Sequence, residues 1–221
     1  MLANLKDSPL FDGIRSLFKA AQPESRRWIV LDVETSGLNP YADRLLAIAA
    51  VAVQVSPDFS RISIAIGDSY EAVLKQDLPT SKDNILIHHI GAQAQSEGRP
   101  SVEVLEEFRR WAGNCPLLGF HAAFDEAMLN RAYSLFGLKA LENEWLDIEP
   151  LAKITGVNPK LRALDDWLAH FGIECAVRHQ AAADTFATAE LLMRLWPYLK
   201  KEANSWASLR GIARQANWIP R

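Results

Sequence analysis

The sequence predicts an α/β fold on a mixed sheet, with an antiparallel meander followed by strand–helix units and helices on both faces. Three observations carry it. Apolar runs at 28–31 and 44–55 are rich in Val, Ile, Leu and Ala and lie close in the chain, as buried neighbouring strands do. A further run at 61–66 and 69–74 follows the turn signal Ser56-Pro57-Asp58. Beyond residue 100 the apolar spacing changes to three and four, the period of helices that bury one face.

Composition bounds the rest. The chain has 221 residues, 49 % of them hydrophobic, enough for one domain with short appendages and too apolar for a disordered chain. The formal charge is −3 and the isoelectric point about 6.0. That excludes a protein coating long nucleic acid through a basic surface, but not one that grips a few nucleotides at an end. Cys115 and Cys175 lack metal-type spacing and read as reduced core thiols. The N-terminus mixes charged with apolar residues, unlike a signal peptide, and no stretch reaches the roughly 20 apolar residues of a membrane span. A cytoplasmic protein without membrane contact is expected.

Residues 1–25 carry Ile14, Leu17 and Phe18 at helical spacing, with Pro23 as the stop. A short helix packed on the domain is expected there, and a partner-docking helix is the alternative. The first strand is expected to end near Val33. The second spans 44–55. The third spans 61–74, with a bulge at Gly67-Asp68. Residues 84–90 read as a short helical piece. Ser101 offers a capping-box-like start to a helix with Val104, Leu105, Phe108 and Trp111 on one face, closed by Gly113. A short strand at 116–120 precedes a helical stripe from Phe124 to Phe136. Residues 145–152 fit strand and helix equally. Leu161, Leu164, Leu168 and Phe171 mark a helix closed by Gly172, and 184–195 form the last amphipathic helix, stopped by Pro197. The expected division is an N-terminal helical extension at 1–25, a domain at 26–198 and a basic tail at 199–221.

Chemistry concentrates first at Asp32 and Glu34. Strand side chains alternate with period two, so both carboxylates point to one face. Side by side at the end of a buried strand they repel unless a positive charge sits between them. An all-oxygen ligand set suits Mg²⁺ or Mn²⁺ better than Zn²⁺. Two solvated acids at a strand end are the plainer alternative.

The run Asp32-Val-Glu-Thr-Ser-Gly-Leu38 resembles the first motif of the DEDD exonucleases, a family that includes RNase T and the proofreading subunit of bacterial DNA polymerase III. Two further segments extend the resemblance. Leu117-Leu-Gly-Phe-His-Ala-Ala-Phe-Asp125 is similar to the second motif, although the family has His-Asn where this chain has Phe120-His121. Arg178-His-Gln-Ala-Ala-Ala-Asp184 is similar to the third, in its His-x₄-Asp form. Residues five apart on one helix are about 140° out of phase. His179 and Asp184 therefore converge only if the histidine lies in the loop before the helix. His88-His-Ile-Gly91, 145–152 and 161–173 resemble lesser family segments, and Asp147 and Asp165 read as capping or solvent-facing acids. The likeness covers about residues 26–196.

The resemblance implies a ribonuclease H-like five-stranded mixed sheet and a 3′→5′ exonuclease with two Mg²⁺ or Mn²⁺ ions as cofactors. It implies that Asp32, Glu34 and Asp184 bind one ion, that Asp32 bridges to the second, and that Asp125 supports that one. His179 would be the general base. Thr35 and Leu38 would hold the terminal nucleotide, with His121 beside the substrate. Single-stranded DNA 3′ ends are the expected substrate and a DNA polymerase a possible partner. An RNA-trimming exoribonuclease, a non-catalytic scaffold on the same fold and a metal-independent binding module are the alternatives. In the tail, Lys200, Lys201, Arg210, Arg214 and Arg221 face only Glu202 as an acid, and Trp206 and Trp218 interleave with them. Such alternation can bind a strand by stacking; packing of a terminal helix is the competing reading.

Overall fold

A computed structural model describes residues 25–156, 158 and 161–216. The helix expected within 1–25, and Trp218 and Arg221 of the tail, lie outside these residues. The described residues form a five-stranded sheet in the order β3-β2-β1-β4-β5. Its strands are β1 (Arg27–Thr35), β2 (Leu45–Val55), β3 (Ile62–Val73), β4 (Leu117–Gly119) and β5 (Trp145–Asp147). The first three pair antiparallel, and β4 and β5 add in parallel beside β1, which makes the expected mixed sheet.

Alternation along β1 sorts its side chains. Trp28 and Val30 enter one apolar cluster, while Ile29, Leu31 and Val33 enter the other. Asp32 and Glu34 continue the parity of Trp28 and Val30. The second cluster is covered by α3 (Ser101–Ala112) and α4 (Ala123–Leu135). The first is covered by α5 (Ile148–Ile154), α6 (Leu164–Phe171), α7 (Ala181–Leu199) and α8 (Trp206–Ala216). Two short helices, α1 (Lys82–His88) and α2 (Ala92–Ser96), lie between β3 and α3 in the chain.

Four local expectations are refined. Strand β1 runs past Val33, because Glu34 pairs with Ala47 and Thr35 with Leu45 across a bulge. Pro100, not a side chain, caps α3, and Ser101 sits within its first turn; the chain enters there from an Arg99–Leu74 bridge that fixes Pro100 in place. Residues 145–152 are strand and then helix, with Asp147 accepting from the Glu149 amide at 3.0 Å as the cap. Pro197 does not stop α7. It lies on the exposed side of the helix, while Trp196 and Leu199 on either side of it are buried.

The expected bulge in β3 is present as a register shift opposite Val51 and Ala52. It presents Asp68 to Arg27, whose Nε and Nη2 donate at 2.6 and 2.8 Å. At the next residue of β1, Trp28, α8 packs inward. Trp206 is buried 4.9 Å from the Trp28 ring, with Leu209, Ile212 and Ala213 in the same core. No helix among the described residues is long and apolar enough to cross a membrane.

Candidate active site

Parity and small neighbours build the centre of the site. Asp32 stands opposite Ala49 and Glu34 opposite Ala47 on β2. Paired residues share a face, so two methyl groups leave room above the sheet for carboxylates. Helix α7 settles into that room. Thr185 donates its hydroxyl to the Ala49 carbonyl at 3.2 Å, and the preceding residue, Asp184, reaches the acids of β1. Asp32, Glu34 and Asp184 each place one oxygen within 4.8 Å of the others. Glu34 and Asp184 are buried, and Asp32 is partly so. Glu34 Oε1 is buried with no hydrogen-bond partner among the described residues.

Asp125 arrives from the first turn of α4 and is buried beside this group. Gly119 permits its position, because a Cβ there would come within 3.2 Å of Asp125 Oδ2. Between them His121 adopts φ 63°, in the left-handed region where Asn, Asp and His are enriched. Its amide donates to Asp147 Oδ1 at 2.9 Å. Asp147 thus acts as the expected capping acid and also fastens the loop that carries Asp125. The His121 ring is exposed, 4.7 Å from that of Phe120.

His179 also has a positive φ, 61°, in the loop before α7, and its amide donates to Asp184 Oδ2 at 2.9 Å. This is the loop placement that the five-residue spacing required. Thr35 is buried; its hydroxyl donates to the Gly37 carbonyl at 2.7 Å and its carbonyl accepts from Asn84 Nδ2 at 2.8 Å. The loop after it is closed by Asp43, which accepts from Ser36 Oγ and the Asn39 amide at 2.9 Å each. A Cβ on Gly37 would lie 2.5 Å from Asp43 Oδ2, so this turn needs glycine. Leu38 projects from it, 87 % exposed.

All eight residues singled out from the sequence — Asp32, Glu34, Thr35, Leu38, His121, Asp125, His179 and Asp184 — line one cavity of about 410 Å³. Sequence reasoning quoted two polar residues of its wall in family-like segments, His88 and Arg178, without giving either a role in the site. His88, in the last turn of α1, lies against Glu34 Oε2. The signal for it was its spacing of four from Asn84, which puts both on the face of α1 that grips β1. Arg178 lies against both Asp184 and Asp165; no sequence pattern announced that.

Burial dominates the electrostatics. It holds the Asp32 carboxyl well above the usual carboxylate range, Asp125 and Glu34 add to the rise, and Arg178 opposes it. Burial likewise pushes Asp125 up to about 8, against backbone hydrogen bonds that lower it and with Asp147 and Glu34 adding. Without metal, the folded state therefore keeps protons that the unfolded state has released. Stability from this source is present in full below pH about 4 and is lost as pH rises through about 8. Melting temperature in EDTA is expected to fall between pH 5.5 and 8.5, and Mg²⁺ is expected to flatten that fall by favouring the carboxylates. A profile that is flat in EDTA would show that these acids ionise normally.

Comparison with known proteins agrees with the geometry. A family model for the RNase T family, described as exonuclease, matches residues 29–192. The DNA polymerase III PolC-type protein of Bacillus subtilis is 31 % identical over 198 residues, covering 88 % of this chain and 13 % of that one. The PolC-type protein of Listeria innocua is 30 % identical over 172 residues, covering 78 % and 11 %. The chain thus spans under a sixth of the length of these relatives. Among solved structures, E. coli exonuclease I in complex with a dA16 oligonucleotide matches with a TM-score of 0.64 at 19 % identity, over 80 % of this chain and 44 % of that one, a likeness of fold.

Proposed function

The chain belongs to the exonuclease family of RNase T, and we propose on that premise that it hydrolyses single-stranded DNA from the 3′ end, releasing nucleoside 5′-monophosphates. The observation that carries this reading is the convergence of Asp32, Glu34 and Asp184 within 4.8 Å, in one cavity with Asp125 and His179. The donor set fits a hard divalent cation. Every ligand atom is a carboxylate oxygen, and Glu34 Oε1 is buried without a partner. Asp32, Glu34 and Asp184 would hold one Mg²⁺ or Mn²⁺, and Asp32 with Asp125 a second. Such ions supply an activated water and neutralise charge on the phosphoryl oxygens.

The chain's own residues do the rest. His179, exposed at the cavity, accepts the proton of the attacking water, and the hydrogen bond its backbone N–H donates to Asp184 Oδ2 keeps it beside the acids. Leu38 offers an apolar surface to the terminal base, and the backbone at Thr35 meets the terminal sugar. Thr35 is suited to this because Asn84 and the Gly37 carbonyl fix it from two sides. A terminal base must leave its stack to enter, which selects single strands. DNA is favoured over RNA because the PolC-type relatives are DNA polymerases and the exonuclease I structure holds a DNA oligonucleotide. A DNA polymerase is the proposed partner.

Matched DNA and RNA oligomers, each with a 3′-hydroxyl or a 3′-phosphate, test this reading. With Mg²⁺ or Mn²⁺ the 3′-hydroxyl DNA is expected to yield mononucleotides, and the 3′-phosphate to slow release by about a hundredfold or more. Equal cleavage of both ends, or internal fragments, would point to an endonuclease. Faster loss of the RNA would move the assignment to an RNA-trimming enzyme.

A further inference from the structure

Arg178 is the single arginine or lysine among the described residues that line the catalytic cavity, where Asp32, Glu34, Asp125, Asp184 and Asp165 also face. Its guanidinium touches two of these acids. Nη1 lies against Asp184 Oδ1, and Nε against Asp165 Oδ1. The other oxygen of Asp184 accepts the His179 amide at 2.9 Å. Both oxygens of this ligand are therefore engaged by the chain, whereas Glu34 keeps one without a partner. Asp184 Oδ1 also accepts a long contact from the Cys175 thiol at 3.4 Å, a weak donor, so a cation coordinated by Asp184 competes chiefly with the guanidinium or the amide. The amide is fixed by the backbone of a left-handed residue. The guanidinium ends a flexible side chain and has a second partner in Asp165, whose side chain is 63 % exposed.

We propose that Arg178 serves two partners in turn, holding Asp184 Oδ1 while the site is free of cations and yielding it on cation binding to face the phosphodiester of a bound 3′ end, with Nε kept on Asp165. The proposal rests on the exonuclease reading above. A nucleic-acid end brings negative charge into a cavity lined by five acids, so a positive donor on the wall is needed beyond the cations themselves. The planar fork of arginine suits this, since one edge can stay on a carboxylate while another meets phosphate oxygens. The exchange costs little because Arg178 never loses Asp165. It also couples the two ligands: a phosphate that draws Arg178 off Asp184 raises cation affinity, and by linkage the reverse holds to the same degree.

Arg178→Leu tests this through two effects of opposite sign. Without nucleic acid, Mn²⁺ binding followed by electron paramagnetic resonance is expected to tighten about threefold to tenfold, because the internal competitor is gone. With Ca²⁺ to suppress turnover, affinity for a fluorescent single-stranded DNA oligomer is expected to fall about tenfold. Arg178→Lys is expected to regain part of the oligomer affinity. A residue with a merely structural role would weaken both ligands. Unchanged or weaker Mn²⁺ binding, or unchanged oligomer affinity, overturns the proposal. If Arg178→Leu does not fold, Asp165→Asn keeps the arginine and removes its tether. Oligomer affinity in Ca²⁺ is then expected to fall, and no change overturns the proposal. Failure of the unaltered protein to bind Mn²⁺ would instead strike the exonuclease reading itself. A wild-type protein that binds and hydrolyses, beside a variant that matches it, strikes only the role of Arg178.

Discussion

Asp32→Ala is expected to abolish nucleotide release, by about a thousandfold or more, while the metal-free protein stays folded with an equal or higher melting temperature. The two halves of this expectation have different causes. Activity is lost because Asp32 lies within 4.8 Å of the ligand atoms of Glu34 and Asp184, and its pKa is raised by burial and then by Asp125. On the proposed reading Asp32 would serve both cation positions. The fold survives because Asp32 is only partly buried and stands opposite Ala49, so its removal opens no apolar cavity. Stability can rise because burial and two acidic neighbours disfavour a charged carboxylate at this position, and its removal takes away that cost. Nucleotide release with Mg²⁺ and melting in EDTA are to be measured on the same preparation. Residual activity within about tenfold of wild type would remove Asp32 from the bridging role.

Trp206→Ala is expected to cost about 3–5 kcal/mol of stability, the scale for deleting a buried aromatic side chain. Trp206 is 5 % exposed and packs against Trp28 in a cluster that also holds Phe59 and Trp196. Its indole nitrogen donates to the Glu144 carboxylate, which Arg210 also engages. The aromatic–basic alternation of the tail is thus spent on packing at these two residues rather than on a free strand. Trp28 precedes Asp32 by four residues, about 13 Å along the strand, so this cluster lies away from the catalytic cavity. Denaturant unfolding should show the loss, while oligomer affinity of the folded fraction stays unchanged. A cost below about 1 kcal/mol, or a change in the salt dependence of binding, would return Trp206 to a substrate role.

Legibility in the sequence followed the range of the interactions. Strand β2 was plain because a long apolar run of Ala, Ile and Val follows closely on the first strand, and Gly113 and Gly172 marked helix ends that the structure places at positive φ. Ser101 misled because a capping pattern describes only four residues, whereas the path of the chain through Arg99 put Pro100 at the cap. Pro197 misled for the same reason. Buried Trp196 and Leu199 hold α7 together across a residue that would end an isolated helix.

The sequence by itself determined that Asp32 and Glu34 share a face, since alternation is a property of any strand. It also set the condition that His179 and Asp184 meet only if the histidine stands in the loop before the helix, since residues five apart on one helix point away from each other. Only the tertiary structure decided what answers those charges: His88 beside Glu34, Arg178 between Asp184 and Asp165, Asp147 under the His121 amide, and methyl groups of Ala47 and Ala49 beneath α7. These partners come from different elements, or from a loop whose course no local pattern sets. Their meeting depends on how helices dock on the sheet, and docking is governed by the summed burial of many side chains rather than by the spacing of a few.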